Sequence, residues 1–229
     1  MAIGDNVLKV QTEIHAACKA AGRNAQEITL IAVTKTAPVS AIEEAISAGI
    51  KHVAENRVQE AQLKFPGLKS KYPDVCCHLI GHLQTNKAKD VIAVCQLVQS
   101  VDSLKLAQEI NKHAAKLNKA VDVLVQFNTA REPQKFGADP QEAFSLIEGI
   151  SSLSQVRVLG LMAMAPYTED QGVIRRAFAD LRGLRDAIAK RFAGPKVELK
   201  FLSMGMSSDY RIALEEGSNM VRIGSAIFK

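Results

Sequence analysis

Leu30-Ile31-Ala32-Val33-Thr34-Lys35-Thr36 is a mostly apolar run that ends on a lysine. Ile31, Val33 and Thr34 are β-branched and Thr29 precedes them, so the run reads as a strand apolar on both faces. Such a strand sits inside a parallel sheet covered by helices. Lys35, at its downstream end, has two readings. Turned inward, its ammonium is partly desolvated and its amine becomes a nucleophile toward an aldehyde. Turned outward, it snorkels to solvent.

Similar short apolar runs recur at 52–54, 78–80, 97–99, 121–127, 156–161, 200–202 and 219–223. Between them lie stretches with three- and four-residue apolar spacing, at 38–48, 58–71, 85–95, 103–117, 140–151, 173–192 and 207–216. The units repeat roughly every 25 to 30 residues, as parallel β-α connections require. Eight strands alternating with helices predict a single α/β domain, a (β/α)8 TIM barrel near its compact limit. An open doubly wound sheet competes, but the turn after the first strand is Lys35-Thr36-Ala37-Pro38, with no glycine-rich fingerprint. Val7, Val10, Ile14, Ala17, Cys18 and Ala21 predict an extra amphipathic helix before the barrel. The chain therefore reads as one domain, 1–229, with the helix in 1–24 and the barrel in 29–229.

The 229 residues suffice for a large core, which must be aliphatic, because the chain has no Trp, three Tyr and eight Phe. The net charge of +5 comes from scattered residues, so it argues for a small anionic ligand rather than nucleic acid. Cys18, Cys76, Cys77 and Cys95 lack zinc-site spacing and read as reduced thiols. With no secretory leader and no membrane-length apolar run, a cytoplasmic protein without membrane contact is expected.

In a barrel the site is built where the strands end and the next loops begin. Here those exits carry Lys35, Glu55-Asn56, His78 to Lys87, Asp102-Ser103, Asn128, Met162 to Pro166, Ser203 to Asp209 and Arg222 to Ser225. Gly205 and Ser207 precede a helix, and Gly224 and Ser225 a short terminal segment, on the two loops where barrels commonly hold phosphate. Taken singly, Ser207 or Ser208 reads as an N-cap and Gly224 as a turn. Arg222 stands alone in an apolar strand and needs an acceptor. A ring nitrogen facing it would stay unprotonated. His78 and His82 are poor metal ligands because Gly81 argues against the helix their spacing requires, so no metal is expected. Met162, Met204 and Met206 read as core filler, and Met164 as a neighbour for a ring. Ser203, Asp209 and His82 do not form a nucleophile–base relay. Asn86 and Lys87 are placed where they could reach the site.

Seven blocks, in order, carry a family resemblance: Ala32 to Lys35; Glu55-Asn56 with Gln59-Glu60; His78 to Gly81 with Leu83-Gln84 and Asn86-Lys87; Lys135-Phe136-Gly137; Gly160 to Met162 with Met164; Leu202 to Ser207 with Asp209; and Arg222 to Gly224 with Ala226 to Phe228. They resemble the pyridoxal phosphate homeostasis protein family, relatives of the N-terminal domain of alanine racemase. The resemblance implies pyridoxal 5′-phosphate (PLP) held as a Schiff base on Lys35, with Arg222 facing the pyridine nitrogen. It also implies Ser207, Gly224 and Ser225 at the phosphate, and Asn56, Met164 and Ser203 near the ring. It implies a role in supplying and balancing vitamin B6, and through it amino and keto acids, with no established reaction. PLP, other B6 vitamers and transient PLP-dependent apo-enzymes are the implied partners, and a monomer is expected. Cys77 stands where relatives often carry an aromatic residue, Ser225 where threonine is common, and Lys229 where glycine is usual. The alternative is a single-domain amino-acid racemase with weak activity, although racemisation needs acid/base groups on both ring faces and only Lys35 is evident. A class I aldolase-like barrel, with Lys35 attacking a sugar phosphate, is more remote.

Overall fold

Eight strands alternate with helices and pair side by side until the last meets the first. The computed structural model describes residues 2–132, 134–192 and 194–229. In chain order the elements are α1 (Ile3–Ala20), β1 (Thr29–Val33), α2 (Val39–Ser47), β2 (His52–Glu55), α3 (Val58–Lys71), β3 (Cys76–Leu79), α4 (Ala88–Val94), β4 (Leu97–Val101), α5 (Leu104–Lys116), β5 (Val121–Gln126), α6 (Ala143–Ser151), β6 (Val156–Met162), α7 (Gln171–Phe192), β7 (Val197–Met206), α8 (Tyr210–Glu215), β8 (Met220–Ile223) and α9 (Ser225–Phe228). Single 3-10 turns at Thr85–Lys87 and Pro140–Glu142 lead into α4 and α6.

The strands form a closed barrel in sequence order. Every pairing is parallel, including β1 with β8, where Ile31 lies opposite Arg222. The expected (β/α)8 architecture is therefore present. Alternation along each strand splits the apolar residues into two sets. Ile31, Ala54, Leu97, Leu124, Leu159, Met162 and Met220 fill the barrel interior, with Ile80, Met164 and Phe201 against them. A much larger set seals the sheet to the outer helices.

The N-terminal helix packs outside the barrel against α2, α8 and α9. Asn6 Nδ2 donates to the Ile227 carbonyl at 3.0 Å, tying the two ends of the chain together. Two of the boundary shifts bear on the site. β7 is ten residues long rather than a short 200–202 strand. α8 begins at Tyr210 rather than Ser207, because residues 207–209 form a turn closed by Asp209 Oδ1, which accepts from the Met206 N–H at 2.7 Å. Among the described residues no helix is long and apolar enough to cross a membrane.

Candidate functional site

The exit of β1 is a turn held from beneath. Thr34 Oγ1 donates to Glu55 Oε1 at 2.7 Å, and Lys64 Nζ donates to the same oxygen at 2.8 Å and to the Thr34 carbonyl at 3.1 Å. Glu60 lies 3.0 Å from Lys64 Nζ. Burial alone would push the Lys64 ammonium down, but its hydrogen bonds to Glu55 and Glu60 more than offset this and raise it. Directly above this buried pair stands Lys35, on the turn and exposed. Of the two readings of Lys35, the desolvated one is corrected: β1 ends at Val33, and the lysine follows on a turn where water reaches it. Thr36 follows at φ +68°, a left-handed conformation that a β-branched residue rarely adopts. Strain of this kind persists only where the surroundings enforce it, and it clusters at functional positions.

Asn56, also exposed, follows β2. The β3 exit crosses its backbone so closely that a Cβ on Gly81 would lie 2.0 Å from the Asn56 carbonyl oxygen. That crossing leads to His82, whose Nδ1 is 3.4 Å from Asp102 Oδ2 at the β4 exit. The Phe136 ring stacks on His82, with centroids 3.9 Å apart and planes at 12°. Phe136 is held there because Gln126 Nε2 donates to its carbonyl at 2.9 Å and Lys135 Nζ donates to the Ala165 carbonyl at 2.7 Å. Lys87 instead lies 3.8 Å from Asp90, in its own helical segment.

Arg222 is buried inside the barrel. Its Nη1 donates to Ser203 Oγ at 2.7 Å and its Nη2 to the Ala163 carbonyl at 2.9 Å. This uses two of its five N–H donors. Burial pushes the guanidinium down to about 10, so it stays charged at neutral pH. The nearby Asp209 carboxyl is pushed up by burial, while the Met206 N–H and the Arg222 charge pull it down. Met206 lies opposite Arg222, and Met162 opposite Ser203. Met164 packs half-buried on the barrel interior. Ser207 is half-buried just past β7. Gly205 before it has φ +98°, and a Cβ there would lie 2.7 Å from the Ala213 Cβ, so the loop runs tight against α8. Gly224 caps the short helix that opens on the exposed Ser225, whose first N–H groups have no acceptor within the helix.

Arg222 and Ser203 are therefore in contact, Met164 shares their interior, and Ser207, Gly224 and Ser225 lie on the two loops beyond. Lys35 and Asn56 stand on the exits of β1 and β2, β1 being the neighbour of β8 in the closed barrel, without hydrogen bonds to the others among the described residues. Sequence reasoning missed the polar string behind Ser203. Ser203 Oγ lies 2.6 Å from Gln99 Oε1, Gln99 Nε2 is 3.0 Å from His78 Nδ1, and His78 Nε2 is 3.0 Å from His52 Nδ1. A buried Gln at an inward strand position was the available signal. It also missed Glu55–Lys64, which is legible only once α3 is packed on β2.

Among the described residues, one group carries metal-type ligands close together: His52, Cys76 and His78, with donor atoms within 4.8 Å. The facing nitrogens of the two imidazoles are engaged with each other, and burial pushes the Cys76 thiol up. The pairing weighed from sequence, His78 with His82, is split between the barrel interior and the rim.

Residues 11–229 match the family model described as "Alanine racemase, N-terminal domain". The Pyridoxal phosphate homeostasis protein of Aquifex aeolicus is 40% identical over 224 residues, covering 98% of this chain and 96% of its own. The protein of the same name from Escherichia coli (strain K12) is 37% identical, covering 99% and 95%. The chain belongs to the pyridoxal phosphate homeostasis protein family. PipY of Synechococcus elongatus PCC7942, solved with PLP bound, superposes with a TM-score of 0.86 at 32% identity, over 99% of this chain and 100% of that one. Alanine racemase of Clostridium difficile 630 shares only the fold, with a TM-score of 0.72 at 18% identity; this chain covers 55% of it.

Proposed function

We propose that this chain binds PLP at the C-terminal mouth of its barrel and holds it for the supply and balance of vitamin B6 in the cell, without being an enzyme. The observation that carries the reading is Arg222: a buried, charged guanidinium with unspent N–H donors, aimed from β8 into the end of the barrel where β7 and β8 release their loops. Such a group asks for a ligand acceptor, and a pyridine nitrogen is one. The family relationship to proteins of that name, and to PipY with PLP bound, supports it.

When bound, PLP supplies an aldehyde and an electron-withdrawing ring. The chain's own residues do the rest. Lys35 presents an accessible amine that links the aldehyde covalently with release of one water. Ser207, Gly224 and Ser225 offer hydroxyl and backbone N–H groups to the phosphate. Asn56 and Met164 flank the ring. Arg222 donates to the ring nitrogen and keeps it unprotonated, which weakens the ring as an electron sink and favours holding over chemistry. The exposed Lys35 turn leaves a route for the cofactor to pass to apo-enzymes. The reading takes the chain as a monomer, with the exposed Leu8, Leu63 and Leu117 each on a different helix, α1, α3 and the end of α5.

The test is to incubate the protein with PLP, remove free cofactor, and record the absorbance of bound cofactor before and after borohydride reduction. A retained band and a reduced adduct on the Lys35 peptide are expected, both lost in Lys35→Ala. A wild-type protein that retains no band rejects the proposal. His82 beside Asp102 favours the second reading, a weak racemase, because the pair could move a proton at the rim. Exchange of the alanine α-proton in deuterated water, above that of free PLP, would support it.

A further inference from the structure

The string Arg222–Ser203–Gln99–His78–His52 crosses the barrel from β8 through β7, β4 and β3 to the first residue of β2. Its direction follows from which atoms can donate. A guanidinium has donors only, so Ser203 Oγ accepts from Arg222 and its own hydrogen must go elsewhere. The 2.6 Å contact to Gln99 Oε1 has the length of an O–H···O bond rather than an N–H···O bond. Gln99 Nε2 then faces His78 Nδ1 at 3.0 Å and the Met220 sulfur at 3.4 Å. A thioether can only accept, which places the amide N–H groups on this side independently of Ser203. His78 Nδ1 is consequently the bare nitrogen. Buried and held neutral, His78 carries its hydrogen on Nε2 and gives it to His52 Nδ1. His52, at the start of β2, in turn carries its hydrogen on Nε2.

We propose that Gln99 and His78 are positioning residues for the cofactor site: through the Ser203 hydroxyl they fix the Arg222 guanidinium, in a hydrogen-bonded string of one direction that sets both histidine tautomers from the arginine end. This deepens the PLP-binding reading and rests on it for the role of Arg222. The string explains why so polar a set is tolerated in an aliphatic barrel: each member satisfies the next. It also holds the arginine's acceptor in place: a flipped Gln99 amide would leave the Ser203 hydroxyl hydrogen without an acceptor and set Oε1 against the Met220 sulfur, acceptor against acceptor.

The test has two independent readouts on the full-length protein. Long-range proton–nitrogen spectra of the imidazoles are expected to show His78 and His52 each as a single neutral Nε2–H tautomer. Gln99→Met, close in volume but unable to bridge, is expected to give mixed tautomers at both. His52 would change although it does not touch residue 99, while His15 and His113 on outer helices keep the wild-type spectrum. The same variant is expected to bind PLP about fivefold more weakly, with a shifted absorbance of the bound cofactor. Gln99→Leu provides a second apolar replacement should Gln99→Met not fold. A wild-type Nδ1–H tautomer at His78, an unaltered His52, or unchanged cofactor affinity and absorbance in a folded variant would overturn the proposal. If wild-type protein binds no PLP, both the function and the positioning role fall; if it binds and only the variant's responses are absent, the string alone falls.

Discussion

Ser203 is a small residue with a large electrostatic task. Its hydroxyl is the acceptor that lets a buried guanidinium sit inside an apolar barrel. Ser203→Ala leaves Arg222 Nη1 and Gln99 Oε1 without partners, and stability is expected to fall by about 1–3 kcal/mol, read from denaturant unfolding. Thr36 gives the opposite expectation. Held at φ +68°, it stores strain that glycine would not. Thr36→Gly is expected to stabilise the fold by up to about 1 kcal/mol, after the entropic cost of glycine is subtracted. A loss of stability would show that the threonine side chain contributes more than its backbone costs. Arg222 and Lys35 were visible in the sequence as charges interrupting apolar strands. The sequence left open whether Lys35 faces inward or solvent, because that depends on where β1 stops relative to its neighbours.

At the scale of elements, β1, β2 and α3 are joined by the buried Glu55–Lys64 pair under the Lys35 turn. Among the described residues Glu55 Oε2 has no hydrogen-bond partner, so the carboxylate depends heavily on that single ammonium. Lys64→Met should therefore cost about 3–5 kcal/mol, since an uncompensated charge is left buried, and Glu55→Gln in the same chain should restore most of it. Equal losses for the single and double variants would contradict this. Gly81→Ala tests the crossing of β2 and β3: the new methyl carbon meets Asn56 backbone at 2.0 Å, and a loss of about 1–3 kcal/mol with displaced Asn56 resonances is expected. The strands and helices were legible because periodicity two and periodicity 3.6 write themselves into residue order. The α8 boundary was not. A serine next to a helix resembles an N-cap, whereas the side chain that closes this turn is Asp209, reaching back to Met206.

At the scale of the whole molecule, the polar string across the barrel interior couples stability to acidity. Burial holds His78 down to about 3, against an ordinary 6.5. Between those values the unfolded chain takes up a proton that the folded chain refuses, so stability falls as pH falls below 6.5. The slope from this residue approaches about 1.4 kcal/mol per pH unit, and His78→Gln should remove that share of it in unfolding curves recorded between pH 7 and 4. The amino-acid order by itself determined eight β-α units, the aliphatic core, the outer helix and the family, since each depends on residues near one another in the chain. Only closure of the barrel decided that His52, His78, Gln99, Ser203 and Arg222 touch, because these residues come from five strands spread over 171 positions and no local pattern links them. Closure also decided which face of each strand looks inward, and with it that the one buried guanidinium of β8 ends among the loops that would grip a phosphate.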